Sequence, residues 1–451
     1  MKSFTDNPPD GDLRSRLLAL GDSGTCASGF GTVMRNLLGG LAQTGRYNID
    51  QIGINYHGDY YDRSEFDYRI YPACPLGDSD LFGRERLVRA LQGKDALAGP
   101  WNILFTLQDH FVLEPVTPKI LWFKEALAKR GFPLCWVGYW PIDGPLKERW
   151  VREAIVKPDI TAVYTSYGLQ EVLRHDPNGE FGYREKVKVI PHGVDVDSFH
   201  PLPAAEKAAF RRDFFGHVVK PGDFLVTNVN RNQWRKDLPR TMAAFALFHR
   251  RVPGSFLYLH AAAQDAGGDL GEIAKHFGLK PGVDWGCPRN FDVHKGVSLE
   301  QLNGIYNVSD LIVSTSLGEG WGMSLTEAMA AGVPVMAPHH TSIPEIFGNA
   351  TVDDEVRGIS VRCGGESQWV CGGANDLDQV RPLTDVGHMA SRLEYAHANR
   401  DRIARMAEDA HQWVQSLRWE RVLRDSWLPV FRVAEVMAGA AAKSAGPTVF
   451  P

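Results

Sequence analysis

The feature that most constrains this chain is a regular alternation of short apolar runs with amphipathic stretches, which begins at Leu17 and continues past residue 330. Short apolar runs bounded by turn residues are typical of buried strands, and the amphipathic stretches between them are typical of helices that cover a parallel sheet. The chain has 451 residues, which is too many for one ordinary hydrophobic core. We therefore predict an α/β protein built from two successive doubly wound domains.

The apolar runs define candidate strands and helices in each half of the chain. In the first half the strand candidates are Leu17–Leu20, Ile52–Ile54, Ile103–Leu107, Leu134–Tyr139, Ile160–Tyr164 and Val187–Ile190, with a helix at Thr32–Gln43. In the second half the strands are Phe224–Val229, Phe256–His260, Leu311–Thr315 and Pro334–Ala337, and the helices are Leu238–Arg250, Leu299–Val308 and Ser324–Ala331. Pro201 and Pro203 interrupt the pattern and predict a linker.

These elements predict the domain boundaries. We predict an N-terminal Rossmann-like domain over residues 1–200 and a C-terminal Rossmann-like domain over residues 201–418. Because open parallel sheets bind ligands beyond the carboxyl ends of their strands, we expect the domains to face one another across a cleft. The tail His411–Met437 has helical spacing that Pro429 should kink, and we expect its part at 419–440 to pack back on the first domain.

The composition argues against several classes of protein. A formal net charge of -5 gives no overall basic bias, which argues against a protein that binds nucleic acid by charge alone. The six cysteines form no C-x-x-C pair, which favours reduced thiols over a zinc site or a disulfide framework. Met1–Arg16 lacks the apolar run of a signal peptide, and no segment approaches the roughly 20 apolar residues that span a bilayer. We therefore expect a cytoplasmic protein without a membrane span.

The most informative segment is Gly318–Met329, which follows a predicted strand and opens a predicted helix. Its glycines at 318, 320 and 322 allow a ligand to approach the backbone closely, and the first amides of the helix form a site for a diphosphate. Glu327 lies about one turn into the helix, where a carboxylate can accept hydrogen bonds from a ribose diol. Glu319 can reach sugar hydroxyls. The alternative is a glycine-rich turn in which Glu327 is a solvated helix residue.

Two further segments carry charged residues. Asn230–Lys236 follows the strand Phe224–Val229, so its cations lie at the ligand-binding edge of the predicted sheet. Arg231 is suited to bidentate contact with a diphosphate and Lys236 supplies a compact charge, although a solvated basic loop is the alternative. Asp195 and Asp197 lie in the segment Val189–Pro201, which we interpret as a turn between domains and not as a metal site.

Together these segments resemble the family 4 retaining glycosyltransferases. The family pattern combines I-P-x-G-V-D-x-x-x-F-x-P, an Arg and a Lys after the first strand of the second domain, and E-G-x-G-x-x-x-x-E-A-M-A-x-G-x-P-V. In this chain the motifs are Ile190–Pro201, Arg231 with Lys236, and Glu319–Val335. The resemblance is strong over residues 185–350 and weaker before them.

The resemblance implies a GT-B fold and a nucleotide-sugar donor, UDP-linked by family habit, that the second domain holds. By this analogy Arg231 and Lys236 neutralise the diphosphate, and Glu327 binds the ribose. Glu319 faces the sugar, and the remaining donor contacts come from Gly320, Trp321, Gly322, Met323 and Ser324. In such enzymes the departing phosphate takes the acceptor proton, the configuration is retained, and no bound metal or other cofactor is required.

The first domain departs from the family pattern. Gly29, Phe30 and Gly31 follow the first strand, where the family has a glycine loop near the diphosphate, although a Gly-x-Gly also occurs in plain turns. Many members place a histidine after a later strand, and the comparable stretch Val137–Gly144 has none. Asp143 either takes this catalytic role or caps the following helix. Asp109–His110 is a second candidate.

The acceptor is a hydroxyl group that the motifs do not identify. The segments GDSGTCASGFGTVMRNLL and GYWPIDGPL are similar to glycosyltransferases encoded by large bacteriophages, some of which modify hydroxymethylated bases in DNA. We therefore hypothesise a hydroxymethylated pyrimidine in phage DNA as one acceptor, in a host cytoplasm, with a glycan, a lipid or a small molecule as alternatives. A nucleotide-sugar epimerase and a non-catalytic nucleotide-sugar sensor are rival functions for the same architecture.

Overall fold

A computed structural model describes residues 14–75, 79–97, 99–292, 296–371 and 379–439. The described residues form two compact units. Unit 1 comprises those within 1–142, 146–193 and 419–451, and unit 2 comprises 143–145 together with 194–418. The tripeptide Asp143–Pro145 therefore packs with unit 2, although the chain on either side of it belongs to unit 1.

Unit 1 is built on a parallel sheet with the strand order β3-β2-β1-β4-β5-β6-β7. Its strands are β1 Ser15–Asp22, β2 Tyr47–Ile54, β3 Arg69–Pro72, β4 Ile103–Leu107, β5 Cys135–Trp140, β6 Ile160–Val163 and β7 Val187–Val189. Leu18, Leu104 and Trp136 are fully buried in its core. Strands covered on both faces read as continuous apolar runs, which is why the sequence pattern identifies most of this sheet.

The helices of unit 1 in this part of the chain connect successive strands. They are α1 Gly29–Gln43, α2 Arg84–Leu91, α3 His110–Leu113, α4 Thr117–Ala128, α5 Glu148–Trp150, α6 Ser166–Leu173 and α7 Tyr183–Lys186. Helix α1 begins three residues before the predicted Thr32, because the Ser28 side chain caps it by accepting a hydrogen bond from the Gly31 amide.

Unit 2 is built on a second parallel sheet with the order β12-β9-β8-β13-β14-β15. Its strands are β8 Phe224–Val229, β9 Ser255–His260, β12 Trp285–Gly286, β13 Leu311–Val313, β14 Val335–Pro338 and β15 Ile359–Val361. Two antiparallel hairpins lie outside this sheet, β10 Gln264–Asp265 with β11 Gly268–Asp269, and β16 Cys363–Cys371 with β17 Gln379–Thr384. The order changes direction between β8 and β13, the position at which open α/β sheets bind ligands.

Helices pack around this second sheet. They are α8 Ala204–Phe210, α9 Leu238–His249, α10 Leu270–His276, α11 Leu299–Val308, α12 Met323–Ala330, α13 Ile343–Phe347, α14 Val386–Ala398 and α15 Arg400–Val414. The core between helices and sheet includes Val226, Phe245, Leu257 and Met336, none of them exposed.

The tail returns to unit 1 through α16 Trp419–Val422 and α17 Leu428–Met437. Trp427 is fully buried and makes edge contacts with the rings of Phe105 and Tyr139 on the unit 1 sheet. The single kinked helix predicted from His411 is divided by a break after Val414, and a π-helical turn at Leu423–Trp427 ends two residues before Pro429. Proline is tolerated in the first turn of α17 because its missing amide has no partner to lose there.

The strands predicted at Ile103–Leu107 and Phe224–Val229 and the helix predicted at Leu299–Val308 have the same bounds in the structure. The predicted strand Leu311–Thr315 ends earlier, at Val313, and the Thr315 hydroxyl beyond it lies 2.7 Å from the Thr241 hydroxyl. The edge strands β3, β12 and β15 and both hairpins had no counterpart among the predicted elements. Strands β3, β12 and β15 have only two to four residues, too few to carry a clear periodicity. Within the described ranges, no helix has both the length and the apolar character that a membrane crossing requires.

Candidate functional site

The predicted donor-site residues of unit 2 lie on two loops at the carboxyl edge of its sheet and on the first two turns of α12. One loop follows β8 and includes a 3-10 turn, Trp234–Lys236, and the other follows β13 and leads into α12. Strands β8 and β13 are direct neighbours, paired through Leu311 with Val226. The strand order therefore brings together two loops that are far apart in the sequence, at the switch point of the sheet.

Lys236 and Glu319 join these loops by a largely buried ion pair. Lys236 Nζ lies 2.5 Å from Glu319 Oε1, and the two side chains are 14% and 13% exposed. Burial lowers the pKa of Lys236, and the nearby Arg235 charge lowers it further, against the opposing effect of Glu319. Burial by itself would raise the pKa of Glu319, but the charges of Lys236 and Arg235 hold it below its ordinary value. The charge of each partner therefore favours the ionised form of the other.

The glycine-rich loop contains two glycines at which any side chain would be strained. A Cβ atom on Gly318 would lie 1.9 Å from the Asp143 carbonyl oxygen and 2.4 Å from Arg381 Nη1. Gly322, the N-cap of α12, has a φ of 104°, in the left-handed region that favours glycine. Gly322 also has no side chain to cap the first amides of α12, so the helix begins with its positive end accessible to an anion.

The loop is fixed from behind by the segment that follows β14. The Ser342 hydroxyl donates to the Trp321 carbonyl at 2.8 Å, and the Glu319 amide donates to Thr341 Oγ1 at 3.2 Å. Gly320, Trp321 and Gly322 are buried, whereas Met323 and Ser324 at the helix start are partly exposed. The loop is thus preorganised, and its exposed edge is the start of α12.

Glu327 lies one turn into α12 and is not a freely solvated residue. The Tyr306 hydroxyl donates to Glu327 Oε2 at 2.8 Å. Burial raises the pKa of Glu327 to about 7, the bond from Tyr306 opposes this rise, and the charge of Asp195 adds to it. Glu327 thus has a hydrogen-bond partner within the fold, and its role in donor binding stays a prediction.

The raised pKa of Glu327 gives a pH-dependent stability. The folded protein holds this proton up to about pH 7, whereas the unfolded chain releases it near 4.5, so stability falls as the pH rises through this window. We expect Glu327→Gln, which keeps an acceptor for Tyr306 but cannot ionise, to gain roughly 1–3 kcal/mol relative to the wild type between about pH 5 and pH 8. Urea unfolding of both proteins across this range measures the difference. A constant difference would contradict the assignment.

Arg231 lies at the same edge of the unit 2 sheet, but it forms an ion pair that the sequence did not predict. Its guanidinium donates to both carboxylate oxygens of Asp265 on β10, at 2.7 and 3.3 Å, and its side chain is 47% exposed. The Asp265 pair uses Nε and one donor of Nη2, so a bidentate phosphate contact through these two nitrogens would require the pair to open. The solvated-loop alternative describes Arg231 better than it describes Lys236.

Asp143 lies between two arginines for which the sequence predicted no role. Arg235 Nη1 lies 3.3 Å from Asp143 Oδ2 and donates to the Gly318 carbonyl at 2.5 Å, and Arg381 Nη2 lies 3.1 Å from Asp143 Oδ1. Asp143 does not cap α5, whose N-cap is Lys147. Arg235 belongs to the segment Asn230–Lys236, so its position after β8 could have identified it as a site residue. Arg381 lies outside every motif.

The predicted residues of unit 1 form the start of α1. Gly29 is exposed, Phe30 is partly exposed and Gly31 is buried. The Ser28 hydroxyl donates to the buried Asp22 carboxylate at 2.6 Å, which fixes the turn after β1. A Cβ atom on Gly31 would lie 2.6 Å from the Cys26 carbonyl oxygen, so packing of this turn explains Gly31 by itself. The donor contacts of Gly29, Phe30 and Gly31 stay predictions.

The remaining candidates have structural partners. The His110 ring packs against the Trp150 ring, with centroids 4.2 Å apart. Asp195 accepts a hydrogen bond from the Ser198 amide, and Asp197 pairs with Arg418, as expected for a turn. Among the residues described, no group of three or more His, Cys, Asp or Glu side chains is arranged to hold a metal ion. Metal-independent chemistry stays a prediction.

The chain is similar in sequence to known glycosyltransferases. The family model for glycosyl transferases group 1 matches residues 284–364. D-inositol 3-phosphate glycosyltransferase from Segniliparus rotundus is 28% identical over 216 residues, 48% of this chain and 44% of that protein. Mannosylfructose-phosphate synthase from Agrobacterium fabrum is 28% identical over 205 residues, 43% of this chain and 41% of that protein. The chain spans about half the length of the curated relatives it matches.

Solved structures resemble almost the whole chain. Sucrose-phosphate synthase from Thermosynechococcus elongatus has a TM-score of 0.69 at 16% identity, covering 94% of this chain and 100% of that chain. Anabaena HepE, solved in complex with UDP-glucose, has a TM-score of 0.64 at 14% identity, covering 92% and 99%. These likenesses and the two parallel sheets confirm the predicted α/β GT-B fold with doubly wound domains.

Proposed function

We propose that this chain transfers a sugar from a nucleotide donor, UDP-linked, to a hydroxyl acceptor with retention of configuration. The observation that carries the proposal is the buried Lys236–Glu319 pair, which lies beside the glycine-rich loop and the open start of α12. A cation and a helix N-terminus at one sheet edge suit a diphosphate. The match to glycosyl transferases group 1 and the UDP-glucose complex of Anabaena HepE support this choice of ligand.

The proposed chemistry needs charge stabilisation more than a side-chain base. The bond between the anomeric carbon and the diphosphate oxygen breaks while the acceptor oxygen bonds to the same face of that carbon. The acceptor proton passes to the departing phosphate oxygen. Lys236 and the first amides of α12 stabilise the negative charge that develops on the phosphate, Glu319 orients the sugar, and preorganised groups of this kind supply roughly 3–4 kcal/mol each.

The donor is tested first, because binding to the folded state raises apparent stability in proportion to affinity. A thermal-shift panel of UDP-, GDP- and ADP-glucose with the matching free diphosphates identifies the nucleotide. Release of UDP from UDP-glucose, with the sugar product analysed by mass spectrometry, then separates the functions. A transferase frees UDP, an epimerase alters the sugar and leaves UDP attached, and a sensor binds without turnover. No shift with any member of the panel would contradict the proposal.

Glu327→Ala is expected to weaken donor binding. If the Glu327 carboxylate accepts hydrogen bonds from the ribose, its removal costs roughly 1.5–3 kcal/mol, or about 10- to 100-fold in Kd. Isothermal titration of UDP into both proteins measures the loss. Glu300→Ala, on the first turn of α11, is the matched control and should bind UDP as the wild type does. Equal affinity of the Glu327 variant and the wild type would remove the ribose assignment.

The acceptor is proposed as a hydroxylated pyrimidine in phage DNA, with a phosphorylated polyol as the second candidate. The first rests on the two segments that are similar to phage glycosyltransferases, and the second on the names of the relatives, which act on inositol and sugar phosphates. Incubation with UDP-glucose and hydroxymethylcytosine DNA, inositol 3-phosphate or fructose 6-phosphate, followed by mass analysis, distinguishes them. Unchanged nucleosides with glucosylated polyol phosphate would reject the DNA acceptor.

A further inference from the structure

The hairpin formed by β16 and β17 carries a buried arginine to the candidate site. The hairpin is antiparallel and pairs outside the parallel sheet of unit 2. Along β17, Gln379 and Arg381 are buried while Val380 between them is exposed, so one face of the strand turns inward. The Arg381 side chain is 3% exposed. Charged side chains are rarely buried to this extent unless they are paired.

Arg381 is held in one orientation by several acceptors. Its Nη1 donates to the Asp143 carbonyl at 2.8 Å, and its Nη2 donates to Asp143 Oδ1 at 3.1 Å and to Gln379 Oε1 at 2.9 Å. Gln379 in turn donates to the Pro145 carbonyl at 2.7 Å. The two strand residues thus fix both the backbone and the carboxylate of the segment Asp143–Pro145.

Ion pairs connect the Asp143 carboxylate to the candidate donor site. Arg235 Nη1 lies 3.3 Å from Asp143 Oδ2 and 3.8 Å from Glu319 Oε2, and Glu319 pairs with Lys236. The side chains Arg381, Asp143, Arg235, Glu319 and Lys236 therefore form a row of alternating charge in unit 2. Each carboxylate in this row lies between two cations, so the position of each group depends on the one before it.

The packing around Gly318 links the same row to the glycine-rich loop. The Asp143 carbonyl and Arg381 Nη1 occupy the space in which a Gly318 side chain would lie. Arg235 Nη1 donates to the Gly318 carbonyl, and the Leu317 amide donates to the Arg235 carbonyl at 2.8 Å. A shift of Asp143 would therefore move the loop that precedes α12 as well as the Lys236–Glu319 pair.

We infer that Arg381 is a positioning residue for the transfer reaction, acting through Asp143 and Arg235 to hold Glu319 and Lys236 in their reactive arrangement. This inference rests on the proposed function. Arg381 and Asp143 lie outside residues 284–364, the part that matches the family model. Arginine suits this role because its planar guanidinium presents a rigid fork of donors to two acceptors on one residue, a geometry that the single ammonium nitrogen of lysine does not match.

The test compares kcat for UDP release from UDP-glucose with the Kd for UDP in Arg381→Lys, Asp143→Asn and the double variant. Because a misplacement of about 1 Å at a reacting centre costs about 100-fold, we expect each single change to lower kcat by about 10- to 100-fold. We expect the Kd for UDP to stay within a factor of about three of the wild type. Arg362→Lys, an exposed arginine at the base of the same hairpin, is the matched control and keeps the wild-type kcat.

The double variant separates positioning from independent effects. If Arg381 acts through Asp143, the double variant has a kcat no lower than the worse single variant, because residues that act as a unit are not additive. Three results would each overturn the inference. The double variant could lose kcat by the product of the two single losses, or Arg381→Lys could keep the wild-type kcat. The loss of kcat could also disappear when the rate is divided by the folded fraction of the protein. If the wild type neither binds nor turns over any of UDP-, GDP- and ADP-glucose, the proposed function fails and this inference fails with it.

Discussion

Lys236→Met is expected to lower kcat for UDP release from UDP-glucose by about 10²–10³-fold, the loss seen when one preorganised charge-stabilising group is removed. Lys236 is 14% exposed and Arg231, the other cation predicted to contact the diphosphate, is 47% exposed. Methionine keeps most of the unbranched lysine stem while removing its charge. The variant also leaves the Glu319 carboxylate buried without its nearest partner. Breaking a buried pair in this way is destabilising, by roughly 3–5 kcal/mol where no second partner remains. Arg235, 3.8 Å from Glu319 Oε2, should reduce this cost.

A double variant separates the two effects of Lys236→Met. Lys236→Met with Glu319→Gln contains no unpaired buried carboxylate, so we expect its thermal midpoint to return toward that of the wild type. Its kcat should stay low, because the phosphate still lacks its cation. Lys275→Ala, an exposed lysine on α10, serves as the control for general loss of positive charge. Recovery of kcat together with stability would mean that Lys236 supports the fold and not the chemistry.

Gly318→Ala is expected to damage both the fold of unit 2 and donor binding. The new methyl group would lie 1.9 Å from the Asp143 carbonyl oxygen and 2.4 Å from Arg381 Nη1, and the first of these contacts is with backbone that cannot rotate away. Overpacking of this kind costs about 1–3 kcal/mol, and the loop before α12 must shift to relieve it. We therefore expect the Kd for UDP to rise by about tenfold or more.

The control for Gly318→Ala is a glycine with room for a methyl group. Gly39 lies within α1, where a Cβ atom would meet nothing within 4 Å. Gly39→Ala should stabilise the protein by about 0.5–1 kcal/mol, because alanine loses less conformational freedom than glycine in a helix. Urea unfolding and UDP titration of both variants measure the contrast. A Gly318 variant as stable and as tightly binding as the wild type would show that the loop adapts freely.

The periodicity of the sequence predicts much of both sheets. Buried parallel strands are continuous apolar runs, so Ile103–Leu107 and Phe224–Val229 were predicted with the bounds that they have in the structure. The carboxyl-edge rule then placed the loops after Val229 and before Met323 at one edge of a sheet. The Lys236–Glu319 contact, 83 residues apart along the chain, follows from this rule because β8 and β13 are neighbours.

The sequence pattern did not predict which residues from other helices and strands contact the site residues. Arg231 was assigned to a diphosphate because of its place after β8, but its partner Asp265 comes from a two-residue strand that no periodicity reveals. The pKa of Glu327 depends on Tyr306 from α11 and on Asp195, which lie near it only in the folded chain. Burial and charge at a site are sums over spatial neighbours, and a linear motif names only some of them.

The sequence by itself determined the class of fold and the loops that carry the candidate donor site, because strand periodicity, glycine spacing and helix starts are properties of adjacent residues. Only the tertiary structure decided that Asp143 packs with unit 2 and that Arg381, 238 residues further along the chain, fixes its carboxylate. The physical reason is that the hairpin lies outside the parallel sheet, so the pattern of apolar strands does not predict where it packs. Where its arginine lies depends on the packing of the folded chain and not on any local pattern.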